Sequence, residues 1–436
     1  MERMTSLASS EGVIVEHHVL DSTRTRGRRL GTGGVFIGLG VVTIWALGLA
    51  VHAGRKTALK FDAPNTYFSV SNIDVGGRAV IIALGVVIVL LGGWQAVRGF
   101  GKGTLPIATA VVGLAFMGAF LCWVSARASG TQVDVLGLMQ NSIGLAVPLI
   151  LGALAGVMCE RSGVINVAIE GQMLAGAWAA ALFGTVLGSV LGLVSAAIAG
   201  GLMGMLLAVF AIRYLVNQVV LGVVLNVFAL GLTGFFYDAF MQPNTASLNT
   251  PTVLGEIDVP VLSHIPVIGP LLFQANLVVY LAYVLIVVVD IALFRTRWGL
   301  RTRAVGEHPK AADTVGINVL AMRYRNVVIG GAIAGLGGAY FTVGSVGGFS
   351  KNITSGNGFI ALAALIFGRW SPRGAVAAAL LFGFAQALQV MLSINVPSIP
   401  SNFLQMLPYV ATIVAVAGVV GRVRAPAADG EPYVKD

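Results

Sequence analysis

Long apolar runs separated by short polar stretches fill most of this chain, and their lengths are those of membrane-crossing helices. They fall at about 33–52, 79–97, 104–125, 140–158, 166–185, 188–211, 217–238, 276–294, 326–347, 357–368, 374–392 and 403–421. A bilayer's hydrocarbon core takes about 20 helical residues to cross, so the pattern predicts an all-α polytopic membrane protein with about ten to twelve transmembrane helices. Two runs depart from it. The run starting near Asn166 carries Glu170 and Gln172, and the run from Gly358 to Gly368 is short, so each is expected to be tilted, broken or re-entrant.

The polar stretches orient the spans, because Lys and Arg gather in short cytoplasmic loops. The loop from Ala239 to Ala275 holds neither, whereas the next contains Arg295, Arg297, Arg301, Arg303, Lys310, Arg323 and Arg325. The first is therefore outside and the second inside, and counting spans from there puts both termini in the cytoplasm. The stretch from 53 to 78, with Arg55, Lys56, Lys60 and Arg78, falls outside in this scheme, against its charge. Arg24, Arg26, Arg28 and Arg29 precede the first run, which is too long for a signal peptide's apolar core. Val51-His52-Ala53 is a poor cleavage site, so that run reads as an uncleaved span.

Composition narrows the function classes. Of 436 residues, 57% are hydrophobic and only 10% charged, against about 25% charged in soluble domains, and no segment is long and polar enough for a separate soluble domain. The formal charge of +9 sits mostly beside apolar runs, where it records orientation and not nucleic-acid binding. Cys122 and Cys159 lie in or beside apolar runs with no C-x-x-C spacing and no His partner, which excludes disulfide and zinc readings. The stretches "AGRKTA" and "GFGKGT" lack what a phosphate loop needs. No catalytic set, cofactor site or metal site is expected, and any ATP used would be bound by another subunit.

Polar groups at membrane depth are costly, about 2.5–3.5 kcal/mol each on insertion scales when charged, and tend to face a cavity or a partner. Their densest cluster is "CERSGVINVAIEGQ". Glu160 and Arg161 are expected to pair at a cytoplasmic helix end. Asn166, Glu170, Gln172, Asn226 and Gln386 are candidate pathway residues, with interhelical hydrogen bonding as their competing role. Together with Asn141, Asn217, Gln218 and Gln389 they suit a polar, uncharged solute better than an ion. Asp290 is expected to pair with a nearby Arg instead of relaying protons. Trp178, Phe235, Phe236, Tyr340 and Phe349 read as packing or lipid-anchoring residues. The small-residue runs "IAGGLMGM" (198–205) and "IGGAIAGLGGAY" (329–340) suit close helix approach. Gly163–Gly184 and Gly358–Gly383 echo one another as two related halves of a transporter do; in a chain this rich in Ala, Gly and Val the echo serves only to rank residues.

One polar island stands between lipid-facing runs: "RAVGEHPKAADTVGIN", residues 303–318. Pro309 suits a first helical position and Gly316 a left-handed stop, which predicts about two turns of helix between them. The small Ala311 and Ala312 would let another surface come close. The segment lacks the large apolar face of a helix lying on lipid, so it reads as a docking element for a soluble partner.

Taken together, "ERSGVINVAIEGQMLAGA", "RAVGEHPKAADTVGINVLAMRY", "GGAIAGLGGAYF", "GFIALAALIFGRWSPRGA" and "LPYVATIVAVAGVVGR" resemble the permease subunits of ABC importers in the branched-chain amino acid, simple sugar and nucleoside group, closest to bacterial nucleoside (guanosine-type) permeases. The resemblance covers about Leu136 to Arg424. Loop charge and apolar runs add a cytoplasmic tail at 1–32, extra N-terminal membrane segments at 33–135 and a cytoplasmic tail at 425–436, and the resemblance implies a permease core with an internal repeat at 136–424. It further implies a bacterial plasma-membrane location, a separate cytoplasmic ABC ATPase, a second homologous permease and an extracytoplasmic lipid-anchored substrate-binding protein. The coupling helix that such permeases place in a cleft of the ATPase matches Glu307–Ile317, with Glu307, Pro309, Ala311, Ala312, Asp313 and Gly316 as its candidate residues. Nucleosides are the expected solute. A simple sugar or branched-chain amino acid is the alternative, and a self-sufficient secondary transporter is a second one.

Overall fold

The computed structural model describes residues 26–27, 29–52, 54–62, 66–67, 72–101, 103–127, 133–395, 400–406 and 424–435. They form two compact units, the first of residues up to Asp62, Val70–Val135 and Ile394–Ser398, the second of Ala63–Ser69, Leu136–Ser393 and the remainder from Ile399. The first holds α1 (Arg29–Gly48), β1 (Lys56–Lys60), β2 (Ile73–Gly76), α2 (Gly77–Val97), α3 (Thr104–Arg127) and β3 (Val133–Asp134). Its strands form a small sheet in the order β2-β1-β3, with β1 antiparallel to β2 and parallel to β3. Apolar-run counting does not foresee this sheet, because "KTALK" alternates over only five residues.

The second unit begins with α4 (Val135–Glu160), α5 (Ile169–Leu187), α6 (Ser189–Ala208), α7 (Gln218–Phe236) and α8 (Thr245–Leu248). A two-stranded antiparallel ribbon of β4 (Glu256–Asp258) and β5 (Gln274–Asn276) brackets α9 (Ile268–Leu272). Then follow α10 (Leu277–Arg295), α11 (Arg297–Glu307), α12 (Pro309–Thr314), α13 (Val319–Phe341), α14 (Asn357–Phe367), α15 (Pro372–Asn395) and α16 (Ser401–Gln405).

Nine helices among the described residues are long and apolar enough to cross a membrane: α1 to α4, α6, α7, α10, α13 and α15. The chain is a multi-pass, mainly helical membrane protein. The two irregular runs become α5, which starts only at Ile169, and α14, whose 11 residues reach about 16 Å at 1.5 Å per residue. Most of the run expected at 403–421 lies outside the described residues.

Local chemistry sets several helix starts. Asn217 caps α7 by accepting from the backbone N–H of Val219 and Val220, and Asn276 and Asn318 do the same for α10 and α13. Asn217 thus serves its own helix instead of bridging to a neighbour. The core centres on α4, whose Ala146, Val147, Leu149, Leu151, Leu154 and Val157 are fully buried.

Around this core, α5, α6 and α13 meet with almost no side chains between them. A Cβ at Gly335 would run into the Ala196 carbonyl, and one at Gly331 into that of Gly200. A Cβ at Gly338 would strike Met173. This is the close approach that small residues permit in lipid, where packing and not water exclusion drives helix association. At the Arg-rich end, Asp290 of α10 pairs with Arg373 of α15 at 2.8 Å, the partnership expected for it.

Candidate functional site

The polar island folds as two short helices at the Arg-rich end. Thr296 leaves the helical path after α10 and caps α11 by accepting from the Gly299 N–H at 3.1 Å. Gly299 has no room for a Cβ against the carbonyls of Ala292 and Leu293, so only glycine allows this tight reversal. His308 then breaks the helix, Pro309 occupies the first position of α12, and Gly316 follows in the left-handed region at φ +84°. The bounds are those that proline and glycine predict from local sterics.

The faces of α12 are distributed differently from the sequence expectation. Glu307, Ala311 and Gly316 are exposed, and Pro309 is half-buried. Asp313 is partly covered and faces Lys435 of the C-terminal segment at 3.6 Å. Ala312, expected to admit a partner, is only 3% exposed and packs with Val305, Val319, Met322 and Tyr433 of its own chain. The outward tip is instead made by Lys310, Ala311, Thr314 and Val315, with Val315 75% exposed. Val315 was missed because valine inside an apolar-rich chain carries no signal of its own; its place beside the Gly316 stop is the one clue.

The second polar group is buried where α5 and α14 begin. Asn166 and Gln172 exchange amide hydrogen bonds at 3.0 and 3.3 Å. Asn226 of α7 accepts from the Gly171 N–H at 2.8 Å and donates to the Val167 carbonyl at 2.9 Å. Gln218 accepts from Ile165 N–H at 2.7 Å. Each amide satisfies backbone or side-chain groups of the non-helical stretch before α5, which would otherwise lie unpaired at membrane depth.

Glu170, 7% exposed, reaches across to the stretch before α14. Its carboxylate accepts from the Thr354 hydroxyl at 2.6 Å, the Gly356 N–H at 2.8 Å and the Gly358 N–H at 2.6 Å. It sits in the first turn of α5 and at the start of α14, so one negative charge faces two helix N-termini. Gln386 of α15 continues the chain of contacts by donating to Asn357 Oδ1 at 2.9 Å.

Glu160 and Arg161 do not pair with each other as expected. The Glu160 carboxyl accepts from Trp370 Nε1 and from the Asn166 N–H, while the Arg161 guanidinium donates to the carbonyls of Trp370 and Arg369. Consecutive residues at a helix end point in different directions, and each finds a partner more than 200 residues away or in the following loop. The aromatic residues pack on one another: Trp178 stacks on Phe236 at 5.3 Å and Tyr237 tilts on Phe349 at 5.8 Å.

A cavity of about 680 Å³ opens at the other end of this unit. Its polar wall includes Gln140, Asn141, Glu256, Gln274, Asn276 and the half-buried Tyr340. None of the five nominated pathway residues lines it. Among the described residues no group of His, Cys, Asp and Glu is arranged to hold a metal ion, and both cysteines are free and buried.

A family model described as "Branched-chain amino acid transport system / permease component" matches residues 138–417. The nucleoside ABC transporter permease protein NupC of Lactococcus lactis is 40% identical over 309 residues, covering 68% of this chain and 96% of that protein. The guanosine ABC transporter permease protein NupQ of Bacillus subtilis is 43% identical over 316 residues, covering 70% and 98%. A second Bacillus subtilis protein, the guanosine ABC transporter permease protein NupP, is 27% identical over 342 residues, covering 73% and 96%. No solved structure matches the chain.

Proposed function

Since the chain belongs to the permease-component family of branched-chain amino acid transport systems, we propose that it forms the translocation path of an ATP-driven importer of nucleosides. The observation that carries this reading is the near-complete coverage of two nucleoside-type permeases at 40% and 43% identity. The solute is a nucleoside in preference to a sugar or amino acid because those two relatives carry that name.

An ABC ATPase docks on the exposed surface that runs from Glu307 at the end of α11 through Ala311 of α12 and Val315 to Gly316, at the cytoplasmic Arg-rich end. Both termini lie on that side of a bacterial plasma membrane. A lipid-anchored binding protein delivers solute at the opposite end, where the polar cavity opens. A second, homologous permease completes the pore, and the presence of two guanosine permease proteins in Bacillus subtilis, 43% and 27% identical to this chain, supports a heterodimer. Asn166, Glu170, Gln172, Asn226 and Gln386 hold the helix breaks that shape the path and are not its main solute contacts. A self-sufficient transporter has less support, because Asp290 is ion-paired and Glu170 has its acceptors filled.

The test is reconstitution of the chain with its co-encoded ATPase, second permease and binding protein in proteoliposomes, with labelled guanosine, glucose and leucine compared. ATP-dependent uptake of guanosine alone is expected. Uptake of glucose or leucine in its place would overturn the substrate, and uptake by this chain without ATP would overturn the machine.

A further inference from the structure

The last described segment, residues 424–435, lies on the Arg-rich end of the second unit and makes contacts from Ala427 to Lys435. The Ala428 N–H donates to the Gly306 carbonyl at 2.9 Å, filling one of the carbonyls left open at the end of α11. The Ala427 N–H donates to Glu307 Oε2 at 3.2 Å. On the opposite side, the Ala428 carbonyl and the Arg323 guanidinium crowd Gly163 so closely that a Cβ there would clash. Arg323, 1% exposed, donates to the Glu431 carbonyl at 2.9 Å. Gly430 turns the segment at φ +80° against Ile165, and Tyr433 then inserts beside Ala312. Lys435 closes the run on Asp313.

This one strand of chain therefore touches two things at once. One is α12, six residues long and flanked by the break at His308 and the turn at Gly316. A helix so short has little stability of its own and takes its position from what it packs against. The other is the loop from Arg161 to Asn166, which leads into the buried amide cluster at the start of α5. Close-packed contacts transmit displacement because they have no slack to absorb it.

We propose that the C-terminal segment 424–435 is a strap that seats α12 through Tyr433 and passes its displacement to the loop before α5. The proposal rests on α12 being the ATPase contact, as argued above. Tyr433 is a positioning residue: it touches neither solute nor nucleotide, and it acts by filling the space behind Ala312 that a smaller side chain would leave open.

The experiment uses the full reconstituted importer and reads the ratio of guanosine transported to ATP hydrolysed. Tyr433→Ala and a chain ending at Arg424 should keep the ATPase bound and its basal hydrolysis unchanged, while the transport ratio falls about three- to tenfold, the range of a lost coupling contact. Tyr433→Phe, which keeps the ring, should restore most of the ratio. An unchanged ratio in both Tyr433→Ala and the shortened chain overturns the strap. So does loss of assembly in all three variants, which would mark the segment as needed for folding alone. A cysteine at Ala311 separates the two readings: cross-linking to the ATPase that persists while the ratio falls supports the strap. No cross-link in the unshortened chain means that the docking assignment has failed, and the strap with it.

Discussion

The short helix α12, which we propose as the ATPase contact, and the buried cluster at the starts of α5 and α14 are both polar interruptions of an apolar chain, and they use their polar groups in opposite ways. In α12 the polar and small residues face outward while one alanine is locked inward; in the buried cluster the amides and the carboxylate turn toward backbone and side-chain groups of their own chain. Exposure separates them: Val315 is 75% exposed, whereas Asn166 and Gln172 are fully buried. A polar residue in a membrane protein thus belongs to function or to fold according to whether its hydrogen bonds are already filled. In the buried cluster they are filled by the chain itself.

The sharpest way to break this contrast is Glu170→Ala. Removing the carboxylate leaves the Thr354 hydroxyl and the N–H groups of Gly356 and Gly358 without an acceptor, and should cost about 1–3 kcal/mol for each buried donor left unpaired. Thermal unfolding in detergent would measure it. A stable variant with altered affinity for guanosine would instead make Glu170 a solute contact and erase the distinction.

A smaller effect follows from Asp429, which lies beside Glu160, Arg161 and Arg323. Burial first, and then the negative charge at Glu160, push its carboxyl up from 3.8 to about 8, against the two guanidinium groups, which pull it down. An acid with a higher value when docked binds its proton more tightly in that state. Docking of the C-terminal segment is therefore favoured most below pH 3.8 and weakens as pH rises to about 8. Hydrogen exchange at Ala427 and Ala428, corrected for its intrinsic pH dependence, should be faster near about pH 9 than near about pH 6, and Asp429→Asn should flatten the difference. Exchange that slows with rising pH would reverse the assigned sign.

Val315→Asp costs the fold least, within about 0.5 kcal/mol as expected of an exposed position, and yet should abolish capture of the ATPase in a co-purification assay. Retention of the ATPase would show that the outward tip of α12 is not the contact.

How much could be read from the chain beforehand depends on how far each determinant lies from its effect. Pro309 and Gly316 bound α12 correctly because their sterics act on their own backbone. Asp290 was legible because the only economical role for one acid near a basic helix end is an ion pair. Ala312 was misplaced, since the inward face of a two-turn helix is set by what packs on it, here Val305, Val319, Met322 and Tyr433, the last of them 121 positions later. Glu170 could be ranked but not assigned, because its three donors come from residues 354–358. Glu160 and Arg161 were paired by adjacency, although helical side chains one apart do not face each other. The C-terminal segment gave no signal beyond polarity, because its role is set by surfaces that exist only after the helices have packed.

The glycine contacts among α5, α6 and α13 carry a consequence for how such a machine must move. Where two backbones touch directly, there is no layer of rotamers to take up a shift, so one helix cannot slide along the other without forcing the pair apart. The three helices form a chassis, and any opening and shutting of the path has to be a swing of that chassis as a single body. A disulfide between Gly201→Cys and Ala332→Cys, whose Cβ atoms would stand 3.7 Å apart within the usual disulfide range, should accordingly leave guanosine uptake running at its normal rate. A bond that stalls the importer would locate the moving joint inside the chassis.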